Sequence, residues 1–351
     1  MNSLVLFFTI LILSSDTDKK NIFSGHSSLL GSHTFAFVIG VLSFKDSRIE
    51  TYPSEGRKDQ ELVSTLVKQG VPAENIIFLK DKEVSLKAIH ESLNSLLKRS
   101  SHGDRFIFYY TGHGYAESNN VFLAPYDMDD DKPIETGFDP FQLATILLKT
   151  FKGSEVLFWG DFCNAGILGE VVERITKLNP AIRGAALTSA HRWAYSTKNW
   201  TYTTLLISLL QGKKSLDIDN NGLITFKEAR QNILGAMWHL EDQLSGEWYS
   251  NNFNENQIWS KTASLMEEPQ EFSLKNYPDI PRSTHSIAPP SMQIKREGRW
   301  IRIEVTDSYL GFYRIRFPKE IQDWEEWVSV KLLRISPPQK KRDLKGPFSL
   351  E

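Results

Sequence analysis

An α/β fold built on a mostly parallel sheet, followed by a small all-β unit, is what this sequence predicts. Three observations point there. From residue 34 onward, short continuous apolar runs alternate with helical patterns, as they do when crossover helices bury both faces of a parallel sheet. The chain has 351 residues and 40% hydrophobic composition, enough for two globular units rather than a disordered polymer. A stretch rich in Pro, Ser and charge, 266–291, separates the α/β part from a shorter C-terminal part.

Residues 1–33 form a lead to the first strand. The apolar run 4–13 stops at Ser14-Ser15-Asp16, short of the roughly 20 residues a membrane-spanning helix needs, so no transmembrane span is expected. Its length suits the apolar region of a signal peptide, which would make the chain secreted or periplasmic. The lack of Lys or Arg ahead of it and a weak small-residue cleavage signal leave a cytoplasmic chain as the alternative.

Strands are predicted at 35–42, 75–79, 105–110, 155–159 and 185–189. Between them, Leu62 and Leu66 mark one helix. Leu86, Ile89, Leu93 and Leu97 recur at spacings of three and four behind Ser85, a fitting N-cap. Further helices are expected over 141–150, 202–210 and 227–240, and Gly70-Val71-Pro72 and 101–104 carry stop and turn chemistry. No internal repeat is present. With 41 basic against 43 acidic side chains and no long block of one sign, nothing offers a nucleic-acid footprint or a polybasic membrane patch.

Two predicted strands end in unusual chemistry. Phe106-Ile107-Phe108-Tyr109-Tyr110 breaks into Thr111-Gly112-His113-Gly114, and Val156-Leu157-Phe158-Trp159 breaks into Gly160-Asp161-Phe162-Cys163-Asn164-Ala165-Gly166. Both breaks fall at carboxyl ends of strands, where open parallel sheets place their ligand crevices. Cys163 is the only cysteine, so it is a buried thiol, an intermolecular link or a nucleophile. A thiol with a pKa of about 8.5 needs a base to attack at neutral pH, and His113 is placed to be that base. The other histidines lack the strand-Gly-His-Gly setting, and His102 lies before its strand, at the wrong end of the sheet.

At these residues a resemblance is plain. Tyr109-Tyr110-Thr111-Gly112-His113-Gly114 is similar to the histidine motif of metacaspases and related caspase-fold peptidases, and Asp161-Phe162-Cys163 resembles their Asp-x-Cys nucleophile motif. The offset of 50 residues between His and Cys is that of caspases, and Leu123-Ala124-Pro125-Tyr126-Asp127 also matches a segment of this group. The likeness spans roughly 34–261, within a peptidase domain of 34–265. It implies a caspase-like sheet with helices on both faces and a Cys163–His113 dyad acting on a protein or peptide substrate. It also implies an oxyanion site at the main-chain N–H groups of Gly114 and Cys163, and Asp161 and Asp59 lining a pocket for Arg or Lys before the scissile bond. The departure follows the nucleophile: metacaspases usually continue His-Ser-Gly where this chain has Asn164-Ala165-Gly166, with the turn glycine retained. A catalytically silent caspase-fold adaptor and a calcium-responsive scaffold are the alternatives.

The stretch 217–228 fits each constrained position of an EF-hand loop: Asp217, Asp219 and Asn221 supply side-chain oxygens, Gly222 the turn, Leu223 a carbonyl, Thr225 a hydroxyl or bridged water, and Glu228 a bidentate carboxylate. Ca2+ is therefore an expected ligand, with a capped acidic turn as the alternative. A second acidic group, Asp127 with Asp129-Asp130-Asp131, reads as solvated loop charge.

Behind the linker, 292–336 resembles the small SH3-like barrels of the Tudor and chromo-barrel group, through Gly298-Arg299-Trp300-Ile301 and Trp324-Glu325-Glu326-Trp327-Val328. That likeness implies a protein ligand held by an aromatic cage, while Trp300, Tyr313, Trp324 and Trp327 forming a small core is the alternative. The basic, Pro-containing tail 337–351 is expected to be disordered.

Overall fold

The computed structural model of the chain describes residues 30–117, 120–262, 272–277, 280, 292–296, 298–322 and 325–335. The apolar run near the start, most of the linker, Trp324 and the tail lie outside the described residues.

The strands and helices alternate in the expected way. The order is β1 (Thr34–Gly40), α1 (Lys58–Lys68), β2 (Ile76–Lys80), α2 (Leu86–Leu97), β3 (Arg105–Thr111), the hairpin β4 (Gly114–Glu117) and β5 (Asn120–Leu123), the short α3 (Pro133–Thr136) and α4 (Phe141–Thr150). After these come β6 (Glu155–Asp161), α5 (Ile167–Leu178), β7 (Arg183–Thr188), α6 (Thr201–Leu210), β8 (Leu223–Thr225), α7 (Phe226–Glu241), β9 (Gly246–Tyr249) and β10 (Ile258–Lys261). One six-stranded sheet runs β2-β1-β3-β6-β7-β9. Its pairs are parallel except the last, where β9 lies antiparallel to β7. The fold is thus α/β with a mostly parallel sheet.

The sheet carries a core on each face because strand side chains alternate. Phe37, Phe108 and Phe158 point into one layer with α2, α4 and α5. Ala36, Val38, Tyr109 and Trp159 point into the other with α1, α6 and α7. Ser85 caps α2 as expected, its hydroxyl accepting from the Ala88 N–H at 3.2 Å. At the amino edge of the sheet Glu155 is buried between Arg105 and Arg183 and accepts from Gln257. Burial alone would raise its carboxyl, but these partners hold it below the ordinary glutamate value.

The C-terminal part is β11 (Met292–Arg296), β12 (Arg299–Tyr309), β13 (Phe312–Arg316), β14 (Glu325–Ser329) and β15 (Leu333–Ile335). These form a five-stranded antiparallel sheet in the order β14-β13-β12-β11-β15. Among the described residues no ladder joins β14 to β15, so the expected closed barrel is not shown. Met292, Ile294, Ile303, Ile315, Phe317 and Val328 give it a small core of its own. The hairpin turn between β12 and β13 places both Leu310 and Gly311 at positive φ, the conformation that two-residue hairpins favour. A leucine is held there by tertiary contacts: Leu310 and Phe312 pack with Leu244 and Trp238, and Trp238 Nε1 donates to the Leu310 carbonyl at 2.8 Å. The small unit is therefore seated on α7 of the larger one.

Candidate active site

The two unusual strand ends are neighbours in register. Strands β3 and β6 pair in parallel with Thr111 opposite Asp161, so His113 and Cys163 each lie two residues beyond the same rung of the sheet. The Thr111 hydroxyl donates to the Asp161 carbonyl at 3.2 Å across that rung. Beyond it the two backbones touch: a Cβ at Gly114 would collide with the carbonyl oxygen of Cys163. Only glycine permits this approach, and it brings Gly114 and Cys163, the expected oxyanion pair, together.

Past Cys163, Asn164 has φ +63°, a left-handed conformation that asparagine tolerates better than most residues. Gly166 was expected to be the turn glycine; it has φ -55° and is needed for space instead, since a Cβ there would strike the backbone nitrogen of Arg192. Helix α5 starts directly afterwards, placing its positive end just beyond Cys163, where it favours a thiolate.

A third segment, 189–200, completes the site. Its Ala194 carbonyl accepts from the Asn164 N–H at 2.7 Å, and its Ser196 N–H donates to Cys163 Sγ at 3.3 Å. The Ser189 and Ser196 hydroxyls meet at 2.9 Å, and Gln243 accepts from the Thr197 N–H at 2.8 Å. Together these elements enclose a cavity of about 170 Å³ whose wall includes Tyr52, Asp161, Cys163, Ser196, Lys198 and Trp200.

His113 is held from the 44–52 side. Its Nε2 lies 2.8 Å from the Glu50 carbonyl oxygen and its Nδ1 lies 2.9 Å from the Tyr52 hydroxyl. A carbonyl can only accept, so Nε2 carries the proton, Nδ1 holds the lone pair, and Tyr52 donates to it. Phe44 and Tyr115 flank the ring, and Lys198 pairs with the Glu50 carboxylate. Burial lowers the imidazole below its ordinary value, and burial followed by the Asp161 charge raises the Cys163 thiol, with the Ser196 N–H opposing. The resting pair is thus a neutral thiol and a neutral imidazole.

The two expected specificity carboxylates part company. Asp161 is buried in the cavity wall, its Oδ2 accepting from the Thr203 hydroxyl at 2.6 Å. Burial pushes its pKa up to about 6, against the hydrogen bonds from Thr203 and Ser189. Asp59 is fully buried away from that wall, paired with Arg57 at 2.6 Å beneath Gly40. Glu50, Tyr52, Ser196 and Thr203 were not singled out from the sequence. They lie in loops or on a helix with no motif of their own, and only the closure of three segments around Cys163 reveals them.

The acidic loop also comes together. Ligand oxygens of Asp217, Asp219 and Glu228 lie within 4.8 Å of one another, Asn221 turns on the Asp217 and Asp219 carboxylates, and Leu223 and Thr225 lie in β8. In place of a second loop, β8 pairs antiparallel with β10. Glu228 accepts from the Ile218 and Thr225 N–H groups, at 2.8 and 2.9 Å. Lys275 Nζ donates to the Asp217 carbonyl at 2.9 Å. In the other acidic group, Arg48 bridges Asp46, Asp129 and Asp131. In the C-terminal sheet, Trp300 is covered by the Arg334 guanidinium at 3.7 Å. Trp327 packs on His191 and Tyr313 lies against the sheet's own core, so these rings have packing partners.

Among the described residues no helix is long and apolar enough to cross a membrane. No model of a known protein family matches the sequence, and no curated protein matches it. Among solved structures, the protein GSU0716 from Geobacter sulfurreducens is similar with 12% identity and a TM-score of 0.45, over 66% of this chain and 99% of that one. The Drosophila initiator caspase Dronc is similar with 10% identity and a TM-score of 0.41, over 66% of this chain and 84% of that one.

Proposed function

We propose that this chain is a cysteine endopeptidase of the caspase-like, metacaspase-resembling kind, cutting peptide bonds after Arg or Lys. The observation that carries the reading is the register of β3 and β6, which sets the only thiol beside a His-Gly turn over a cavity walled by a buried carboxylate. In this reading His113 Nδ1 takes the Cys163 proton as sulfur attacks the scissile carbonyl. The N–H groups of Gly114 and Cys163 stabilise the oxyanion. The imidazolium then returns its proton to the leaving amine, and water, deprotonated by the same nitrogen, hydrolyses the thioester. Asp161 receives the guanidinium or ammonium of the residue before the cut, because a buried carboxylate gains most from a cation that also donates hydrogen bonds. Asp59, committed to Arg57, is left out of that pocket.

Calcium belongs to the same proposal as a structural ligand of Asp217, Asp219, Asn221, Leu223, Thr225 and Glu228, with three carboxylates already converging. It supplies charge that draws the loop onto the start of α7 and takes no part in the bond cleavage. The test of the function is hydrolysis of fluorogenic peptides together with labelling by a thiol-reactive peptide ketone, each with and without calcium. Cys163→Ala and His113→Ala should each abolish hydrolysis while circular dichroism and melting stay unchanged. Turnover that survives Cys163→Ala would end the Cys163 reading, and a native chain that neither hydrolyses the peptides nor takes the label would leave the adaptor.

A further inference from the structure

The resting hydrogen bonds of the dyad are not those of an engaged pair. Both nitrogens of His113 are taken, Nε2 by the Glu50 carbonyl and Nδ1 by the Tyr52 hydroxyl. Sγ is met by the Ser196 main chain, its N–H at 3.3 Å and its carbonyl oxygen at 3.9 Å. No hydrogen bond among the described residues joins Sγ to the imidazole. The Nδ1 lone pair is the one that would accept the thiol proton, and Tyr52 occupies it.

We propose that Tyr52 is a latch on the general base: its hydroxyl caps His113 Nδ1 at rest, and a peptide entering the cavity displaces it and frees the lone pair for Cys163. Tyr52 is placed for both roles, since it forms part of the cavity wall with Cys163, Asp161 and Ser196 while its hydroxyl reaches the base. Its backbone is fixed independently of that hydroxyl, the Tyr52 N–H donating to the Leu42 carbonyl at 2.8 Å. The ring also packs against the imidazole at a tilt of 34°, with centroids 4.7 Å apart, so the latch can lose its hydrogen bond without losing its place. The phenol is held well above its ordinary value by burial and then by the neighbouring Cys163, so it remains a donor across the working range of a thiol peptidase. The proton balance is simple. At rest the phenol keeps its proton and shares it with Nδ1. After displacement the phenol donates to the substrate backbone or water, Nδ1 receives the Sγ proton, and the products are thiolate and imidazolium.

The test uses the full chain and iodoacetamide, which alkylates Cys163 without needing the specificity pocket. It therefore judges the latch even if peptide hydrolysis is never observed, although the biological meaning of the latch rests on the peptidase reading. Tyr52→Phe keeps the ring and removes only the hydroxyl. One neutral hydrogen bond is worth roughly a two- to tenfold effect, so alkylation near pH 7 should accelerate by about that factor. The acceleration should vanish in the double variant Tyr52→Phe/His113→Ala, because the gain runs through the base. A merely structural Tyr52 would leave the rate unchanged in both backgrounds. A slower rate in Tyr52→Phe would instead make the hydroxyl a proton carrier between Sγ and Nδ1. Either result overturns the latch, and so does an acceleration that persists without His113.

Discussion

Asp161→Asn should do two opposite things at once, and both arise from burial. The Asp161 carboxyl is raised from 3.8 to about 6, a gap of about two pH units. At roughly 1.4 kcal/mol each, the ionised form costs the native state on the order of 3 kcal/mol. Because the folded value lies above the unfolded one, that cost is fully present above about pH 6 and disappears as pH falls below the unfolded value. Asp161→Asn, which carries no charge, should therefore raise the melting temperature at pH 7.5 and leave it nearly unchanged at pH 3.5. The same substitution removes what an incoming guanidinium would gain. A charge-assisted hydrogen bond is worth about 1.5–3 kcal/mol, so kcat/KM for a peptide with Arg before the cut should exceed that of its citrulline isostere by roughly ten- to a hundredfold. In Asp161→Asn the ratio should approach one. The assay is paired fluorogenic peptides alongside differential scanning calorimetry at the two pH values. A preference for Asp, or an Arg preference that outlives Asp161→Asn, would refute the cation pocket. A variant that melts no higher at pH 7.5 would refute the claim that the wild-type charge is uncompensated.

The pH profile separates the partners of the dyad: His113 must be neutral to act as base, and its lowered value puts the acid limb for a citrulline peptide below the ordinary imidazole value of about 6.5. The raised thiol puts the alkaline limb above the ordinary thiol value, where the pair has lost the proton owed to the leaving amine. Rapid alkylation of Cys163 persisting to pH 5 would instead reveal a resting thiolate–imidazolium pair. Calcium titrated by calorimetry should give heat that Glu228→Gln weakens by at least tenfold, since one charge of the ligand set is lost; no heat at millimolar calcium would leave 217–228 as a capped turn. Trp327→Ala should lower the melting temperature, because it empties the contact with His191, and should change the alkylation rate of Cys163 through the 189–200 segment; an unchanged rate would uncouple the C-terminal sheet from the site.

Much of this was legible in the sequence because the physics was local. The strands with continuous apolar runs, β1, β3 and β6, emerge within two residues of their expected limits, since burial on both faces leaves no other reading of such runs. The helices α2 and α4 likewise appear where periodicity put them. Strand β9 was not anticipated: Gly246-Glu247-Trp248-Tyr249 is short, sits at the edge, and pairs only because β7 offers a free side. Helix α5 was masked by the motif before it. The neighbourhood of His113, Cys163 and Asp161 was legible because each stands at or just beyond a strand end, and β3 and β6 are adjacent in the sheet. Asp59 could not be told from a pocket residue, since its burial depends on Arg57 folding over it from two residues away. Tyr52 and Ser196 reach the dyad through tertiary closure, and nothing in their own segments announces it.

The places where this chain breaks local backbone rules each have an identifiable compensation. Among the described residues, the four non-glycine residues at positive φ outside the site have nearby compensation: Asp81 accepts from the Leu42 N–H and from Arg57, Asn220 accepts from Lys275, Asp242 ends α7, and Leu310 turns a hairpin and packs on Trp238. Around Cys163 two more stand close together, Asn164 and Trp193, both left-handed, beside Asp161, which is ionisable, buried and without a cation partner among the described residues. Trp193 is the costly one, because a bulky side chain gains nothing locally in that conformation. Its compensation comes partly from its neighbour Arg192, whose guanidinium covers the ring at 3.5 Å, and partly from a distance, its carbonyl accepting from the Trp327 N–H at 2.6 Å. Glu326, the neighbour of Trp327, acts on the same segment, for after burial it is the main cause pushing the Tyr195 phenol up to about 12. The C-terminal sheet thus bears on 191–196 at Trp193 and at Tyr195, on either side of Ala194 and next to Ser196, which meet the nucleophile loop. A sheet that served only as a detachable appendage would have no reason to hold the strained residue of the segment that contacts Cys163. The hydrogen bond from β14 therefore ties the C-terminal sheet to the segment that contacts Cys163.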